Sequence, residues 1–521
     1  MNGLCAAIFA ALVMSCQWVT PAIAQDIALK SHDGGLAVSG TLLGYDGAFY
    51  RLATDFGVLT LDGSGVTCSG TACPTPGTAL ARVTLSGTGV TGDTLLPALI
   101  RGFAETEGYV IADTRTESGE RVFRLSDRPG GDLAIEFTLR TASTGDGFLD
   151  LIANQADMVL ALREVSDTER AIALDAGLGD LSGPRQVRVL ARDALVAVVH
   201  PENPVRQLSF TALAAVFAGE TTNWEALGGA PAPITLHLTN PGHGIAGLFV
   251  ERMLKAGGMP LASTVVLHPS VEAVADAVAG DPSAIGISLL SQTDPATVLT
   301  LRDDCTSGLP ARSETVKADD YPLTMPMYLY LPGRRLPGAA ADFLNWLHSD
   351  AAQEAVERAG LIAGMTFETT PFSVQGDRLA TAIRNAGPEV SLAELQRMMV
   401  LLSGKERLSL SFRFHGGSTD LDAASRANIV TLVAALEAGR FEGRRLTFVG
   451  FSDGAGDAAS NLRLSRRRAA AVRAAVLAEA RELDPSQGVI DTDGFGEALP
   501  MACDDTDWGK QVNRRVEIWV D

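Results

Sequence analysis

Positive charge is in short supply. Lys and Arg number 42 against 62 Asp and Glu across 521 residues, a formal charge of −20. Affinity for nucleic acid comes largely from Lys and Arg neutralising phosphates, so nuclear, ribosomal and DNA-binding roles are excluded first. Long apolar runs are missing as well: past the N-terminus no stretch approaches the ~20 apolar residues that a membrane helix needs. Aromatic residues are sparse at 6%, and the last of the seven histidines is His415. What remains is packed globular material, 46% apolar and 20% charged, with 53 Gly and 24 Pro that point to many turns and loop-built sites. At roughly 150 residues per domain the chain has room for three to four.

Met1 to Ala24 carries no charged side chain, and Leu4 to Val19 is mostly apolar. Pro21-Ala22-Ile23-Ala24 sets small residues where a signal peptidase reads, which predicts a signal peptide over 1–24 and cleavage before Gln25. The alternative is a lipoprotein leader, Val13-Met14-Ser15-Cys16, with lipid on Cys16, although Met14 fits that pattern poorly. Either way the mature chain is exported, to a compartment where disulfides persist. Cys68 and Cys73 lie five apart around a Gly-containing turn and predict a small disulfide loop. A zinc pair is disfavoured there because no second Cys/His pair stands nearby. Cys305 and Cys503 either pair with each other or stay buried as thiols; the sequence leaves both open.

Apolar–polar alternation between Gly-Asp turns makes residues 25–77 a small all-β module that ends in a linker, Pro74-Thr75-Pro76-Gly77. Residues 81–367 alternate short apolar runs with helical patterns, including separate strands at Val187–Leu190 and Leu195–Val199. This predicts α/β construction with mainly parallel sheets, and the length predicts two lobes around a cleft. Residues 370–404 read as a polar, partly helical connector, and 406–521 as a final α/β unit. The fold class is therefore multidomain: a β module, a two-lobed α/β domain and a C-terminal α/β domain.

In the last unit a strand delivers Asp453 into the Gly-rich loop Gly450-Phe451-Ser452-Asp453-Gly454-Ala455-Gly456, and a helix follows. Leu462, Ala469, Val472, Val476 and Leu483 form its inward stripe, with Arg468 at the border, so a carboxylate and a guanidinium face one pocket. Such a pair suits a zwitterion: the acid takes an ammonium and the guanidinium grips a carboxylate through two parallel hydrogen bonds. The bland reading makes Arg466, Arg467 and Arg468 one solvated helix face. Motif order argues otherwise, because Asn461-Leu462-Arg463-Leu464-Ser465…Arg468-Ala469 and Asn513-Arg514-Arg515-Val516-Glu517 complete a pattern. Over about 110 residues the unit resembles the OmpA-like peptidoglycan-binding family. The resemblance implies that Asp453 and Arg468 hold the diaminopimelate of wall peptides, with Asn461, Ser465 and Asn513 in the surrounding pattern, and the candidate peptidoglycan-binding residues are Asp453, Arg468, Asn461 and Ser452. Phe451-Ser452 replaces the family's His-Thr, and the loop Asp457–Ser460 is longer.

Gly450-Phe451-Ser452-Asp453-Gly454 also satisfies G-x-S-x-G, but a hydrolase elbow needs a helix directly after the Ser and a later His. Neither is present. In the two-lobed unit Gly87-Thr88-Gly89-Val90-Thr91-Gly92 imitates a dinucleotide fingerprint, with Asp113 ending the next strand. Export argues against that NAD-dependent enzyme, since nicotinamide cofactors are scarce outside the cytoplasm.

Leu208-Ser209…Val216-Phe217-Ala218-Gly219…Asn223-Trp224-Glu225-Ala226-Leu227-Gly228-Gly229 resembles the phosphate-type periplasmic solute-binding proteins of ABC transporters. Supporting matches are Gly87–Pro97, Ser143-Thr144-Gly145-Asp146-Gly147, Asp157…Arg163, Asp193–Val205 and Ala284-Ile285-Gly286. The resemblance implies two lobes closing on an anion held by hydroxyls, helix-start amides, an Asp and an Arg. Candidate solute-binding residues are Thr88, Gly89, Thr91, Ser143, Thr144, Gly145, Asp157, His243 and Gly244. Each taken singly is equally readable as an ordinary turn or N-cap residue. Where the family has R-x-x-x-S-G-T, this chain has Thr239-Asn240-Pro241-Gly242-His243-Gly244-Ile245, which removes a guanidinium and two hydroxyls.

The sequence thus predicts an exported, non-catalytic envelope protein, periplasmic and wall-attached, with outer-membrane association by family analogy. Expected partners are peptidoglycan, a small anionic solute such as phosphate and a membrane permease; no cofactor, metal or nucleic acid is implied. The alternative is an envelope scaffold with a degenerate cleft.

Overall fold

The computed structural model describes residues 26–74, 80–240, 244–302, 305, 308, 310–385, 389–416, 418–480 and 490–521. The expected leader with Cys16, linker residues 75–77, His243 and Leu483 lie outside them. Among the described residues no helix is long and apolar enough to cross a membrane. The chain divides into two compact units, one ending at Ala81 and one running from Arg82 to Asp521.

In the first, β1 (Asp26–Ser31), β2 (Ala37–Tyr45), β3 (Phe49–Thr54), β4 (Gly57–Asp62) and β5 (Val66–Ser69) form an antiparallel sheet ordered β4-β3-β2-β1-β5. Alternation turns Ile27, Leu29, Tyr50 and Leu52 to one face as its buried core. So small a core gains from a covalent staple, and the bonded Cys68–Cys73 pair packs beside it.

The second unit opens with a lobe made of β6 (Ala81–Thr88), α1 (Leu96–Glu107), β7 (Val110–Arg115), β8 (Arg121–Ser126), β9 (Leu133–Ala142), α2 (Thr144–Ile152), β10 (Met158–Ala161) and α3 (Asp167–Asp175). β11 (Val187–Val199) crosses to the other lobe. There follow β12 (Gln207–Ser209), α4 (Phe210–Phe217), β13 (Thr235–Thr239), α5 (Gly244–Phe249), β14 (Val266–His268), α6 (Val271–Gly280), β15 (Ala284–Leu289), β16 (Thr297–Val298) and β17 (Thr300–Arg302). After α7 (Ser313–Lys317) the chain returns through β18 (Thr324–Tyr330). Then α8 (Gly338–Trp346), α9 (Asp350–Arg358) and β19 (Ile362–Ala363) finish on the first lobe.

One sheet runs through both lobes in the order β14-β13-β15-β11-β18-β10-β6-β9-β8-β7. It is mixed rather than mainly parallel. Pairs β6–β10, β13–β14 and β13–β15 are parallel, while β11 runs antiparallel to both β15 and β18. The two strands expected within 187–199 are one continuous strand. Arg192 and Asp193, which look like a break, are buried with partners: Arg192 donates to Gly364 O and Asn428 Oδ1, and Asp193 accepts from Ser291 Oγ and Ala194 N.

The chain continues with β20 (Thr369–Pro371), α10 (Gly376–Asn385), α11 (Leu392–Leu402), β21 (Glu406–Arg413), α12 (Ala423–Glu437), β22 (Leu446–Gly450), α13 (Ala458–Glu479), β23 (Ile490–Gly494), α14 (Asp507–Asn513) and β24 (Arg515–Val520). The sheet order is β20-β21-β24-β22-β23. Helices α12 and α13 bury Leu432, Val472 and Val476 against Leu410, Phe448 and Ile518 on one face. The expected connector is instead a layer of this domain: Leu379, Met398 and Leu402 of α10 and α11 cover Val449, Phe451 and Trp519 on the other face. Its apolar residues sit at helical spacing, which a reading focused on its polar residues overlooks.

Candidate functional site

Two places in the second unit gather the residues singled out above. In the C-terminal domain, β22 and β23 must approach α13 closely: a Cβ on Gly450 would stand 2.0 Å from Ser465 O, and one on Gly494 2.5 Å from Arg466 N. Only glycine permits this. The chain then leaves β22 through Phe451–Gly456, and Asp457 caps α13 by accepting from Ser460 N at 2.9 Å. Asn461, Ser465, Arg468, Ala469, Val472 and Val476 are the buried stripe of α13, polar at its start and apolar further on.

Arg468 is fully buried, its Cζ 5.1 Å from the centre of the Phe414 ring. Nε and Nη2 both donate to Ser418 O at 3.3 Å, and Nη1 is buried with no hydrogen-bond partner among the described residues. Burial pushes this guanidinium down to about 10, against the opposing pull of Asp453. The acid and base therefore feel each other. Asp453, also buried, accepts from Arg514 Nη1 at 2.8 Å. Beside it Ser452 Oγ is buried with no hydrogen-bond partner among the described residues. An unpaired buried charged donor costs on the order of 1–3 kcal/mol or more, a penalty that a bound carboxylate would relieve.

The surrounding motif residues serve the scaffold. Asn461 donates to Glu497 Oε2 at 3.1 Å. Ser465 Oγ accepts from Gly496 N at 3.0 Å and donates to Leu462 O. Asn513 Oδ1 accepts from Met501 N and Ala502 N. Sequence reasoning missed Arg514 as Asp453's partner, although it lies within the quoted Asn-Arg-Arg run. It also missed Glu497, whose carboxyl is raised by burial and by the nearby charges of Glu389, Asp504 and Asp453.

The second place is at the carboxyl ends of β6, β9 and β10, where open α/β sheets present ligand loops. The β6–β10 register sets Leu160 beside Gly87, so Thr88 and Ala161 end at one level and Arg163 follows just beyond. Thr88 and Thr91 are buried, and Thr91 Oγ1 has no partner among the described residues. Gly89 borders Asp93: a Cβ there would stand 3.2 Å from Asp93 Oδ2. Residues 91–95 form a widened helical turn before α1.

Ser143 caps α2 in a reciprocal box with Asp146, its Oγ donating to Asp146 Oδ2 at 2.7 Å and accepting from Asp146 N at 3.1 Å. Thr144 Oγ1 accepts from Leu162 N at 3.2 Å. A Cβ on Gly145 would lie 3.6 Å from Arg163 Nη2, which brings a cation to the start of α2. Arg163 is nevertheless committed to Glu169 through two 2.8 Å bonds, which raise its proton affinity further. In the second lobe Gly244 opens α5 with φ +71°.

Asp157 is a correction. It sits at the opposite end of β10, its NH on Thr84 O, with Oδ2 accepting from Thr84 N and Oδ1 ion-paired to Arg334 at 2.9 Å. That is four residues below Thr88, about 13 Å along a strand. The dinucleotide reading fails similarly. Asp113 is bound by Arg121 and Arg101, its carboxyl held below the usual range chiefly by Arg121, and a Cβ on Gly87 would press 2.0 Å from Leu160 O. The fingerprint glycine serves strand packing. Among the described residues no group of three or more His, Cys, Asp or Glu could hold a metal.

Comparison with known proteins agrees with this division. The phosphate-binding protein PstS of Bacillus subtilis is 28% identical over 31% of this chain, and the match spans only about half of that protein, 52%. PstS of Staphylococcus saprophyticus is 23% identical over 49% of this chain and 81% of its own length. Among solved structures, an ABC-type phosphate transport receptor from Vibrio cholerae covers 54% of this chain with 99% of its own, at 17% identity and TM-score 0.41. The two sequence relatives are named as phosphate-binding proteins. Family models match as a PBP superfamily domain over residues 131–351 and as the OmpA family over 413–514. The chain therefore joins a region that matches the PBP superfamily domain, similar to phosphate-binding proteins, to a C-terminal region that matches the OmpA family.

Proposed function

We propose that this protein is an exported envelope receptor whose C-terminal domain grips peptidoglycan and whose two-lobed domain presents an anion cleft in the periplasm. The observation that carries the wall-binding half is Arg468: a buried guanidinium with an unpaired Nη1, within electrostatic reach of Asp453. An amino-acid-like wall fragment offers both missing partners, a carboxylate for Arg468 and an ammonium that competes with Arg514 for Asp453. Cosedimentation with purified sacculi tests it. The full chain is retained, and Asp453→Ala and Arg468→Ala each abolish retention; retention by both variants overturns the reading.

For the cleft, Thr88, Thr91, Thr144, Gly145 and Gly244, with His243 from outside the described residues, are the residues proposed to meet a small oxyanion such as phosphate. α2 contributes amides at its start, and a permease is the proposed recipient. A scaffold with a degenerate cleft is the second reading. It is favoured by the engagement of Ser143 with Asp146 and of Arg163 with Glu169. It is also favoured by Thr239 and Ile245 standing where phosphate binders carry Arg and Thr.

A further inference from the structure

The two lobes and the C-terminal domain belong to one compact unit, and the contacts between them fall on both sides of the cleft. Against the first lobe, α12 buries Ala423, Ala424 and Ala427 in a core with Phe148, Tyr328 and Tyr330. Ala423 N donates to Glu164 Oε1 at 3.0 Å, and Arg185 pairs with Glu479 at 2.7 Å. Against the second lobe, Cys503 is disulfide-bonded to Cys305, just past β17. Trp508 packs on Phe210 at the start of α4, ring centres 5.0 Å apart.

Both lobe crossings are held as well. On β11, Arg192 donates to Asn428 Oδ1 at 3.2 Å. On the return, Asp320 receives Arg407 at 2.5 Å and Arg413 at 3.1 Å, and Arg413 also donates to Asp319 O at 2.6 Å. All three charged side chains of that cluster are buried, apart from water that would weaken them.

Hinge closure in a two-lobed binder requires the lobes to rotate about the crossing strands. A third body fastened to both lobes and to both crossings opposes any such rotation, because closure must shear the α12 core, swing Trp508 off Phe210 or strain the Cys305–Cys503 link. We propose that the OmpA-family domain is a splint that fixes the angle between the lobes. The cleft is then a receptor of constant geometry, and its open–closed cycle is released only by loosening the splint on the second lobe. This holds whichever solute fills the cleft and does not depend on wall binding.

Single-molecule energy transfer tests it in the full chain, with dyes on noncanonical residues at exposed Leu174 in the first lobe and exposed Glu272 in the second. The native protein gives one narrow population that saturating inorganic phosphate does not shift. The triple variant Cys305→Ser, Cys503→Ser, Trp508→Ala gives a broadened or second population. A native population that is already broad or moves with phosphate overturns the splint, and so does a triple variant as narrow as the native chain. Should the triple variant not fold, the native chain reduced with dithiothreitol decides: broadening relative to the oxidised chain supports the splint, and an unchanged population overturns it. Cys68→Ser/Cys73→Ser serves as control for the other disulfide.

Discussion

Arg468 and Arg163 are the guanidinium groups of the two candidate sites, and their surroundings differ. Arg163 is paired through two hydrogen bonds with Glu169, whereas Arg468 donates to the carbonyl of Ser418, lies over the Phe414 ring and leaves Nη1 without a hydrogen-bond partner among the described residues. In the same domain Arg378, Arg407 and Arg515 are ion-paired to Glu517, whose carboxyl burial would raise but those three charges hold far below its usual range. At the cleft, among the described residues, the atom without a hydrogen-bond partner is a neutral hydroxyl, Thr91 Oγ1, rather than a guanidinium nitrogen of Arg163.

The largest effect expected from this contrast is on stability. Glu517→Ala takes the carboxylate partner from buried Arg378 and Arg515, while Arg407 keeps Asp320, and lowers unfolding free energy by about 3–5 kcal/mol. Arg468→Met, which deletes an unpaired charge, leaves stability unchanged or higher. Denaturant midpoints of the two variants measure the difference, and equal losses would erase it.

Next is pH. Burial pushes Asp193, on the strand that crosses between the lobes, up to about 6, opposed by its bonds from Ser291 and Ala194. The folded state therefore binds the proton more tightly than the unfolded state does, so this group's contribution to stability falls as pH rises from about 4 to about 6 and is flat above. Two units correspond to roughly 3 kcal/mol. Asp193→Asn should flatten that part of the stability–pH curve, as read by urea titrations at several pH values.

The smallest effect sharpens the cleft. Glu169→Gln keeps the α3 capping box, since glutamine also serves at that position, but releases Arg163 toward the start of α2. Calorimetric titration with inorganic phosphate should then show affinity higher by about tenfold, or 1.4 kcal/mol. No gain would favour the scaffold reading.

Much of this was legible in the sequence where local chemistry decides. The β module, the strand-to-helix loops at Thr88 and Ser143, and the order of motifs around Asp453 all follow from residue spacing. Three-dimensional pairing was not legible. Asp157 fits an oxyanion site by residue type, yet the β6–β10 register sends it to the wrong end of the strand, beside Arg334. Arg192 and Asp193 read as a strand break because their partners, Asn428 and Ser291, come from elsewhere in the chain. The Cys305–Cys503 bond joins residues 198 apart, beyond anything spacing can indicate. The layer formed by α10 and α11 was hidden by its surface charges.

The most direct test of the central claim is calorimetric titration of the full chain with meso-diaminopimelate at low salt. The account predicts a saturable one-to-one heat that disappears in Arg468→Lys, which keeps the charge but loses the two parallel donors, and in Asp453→Asn. A wild-type chain without heat, or variants that bind as it does, would contradict it.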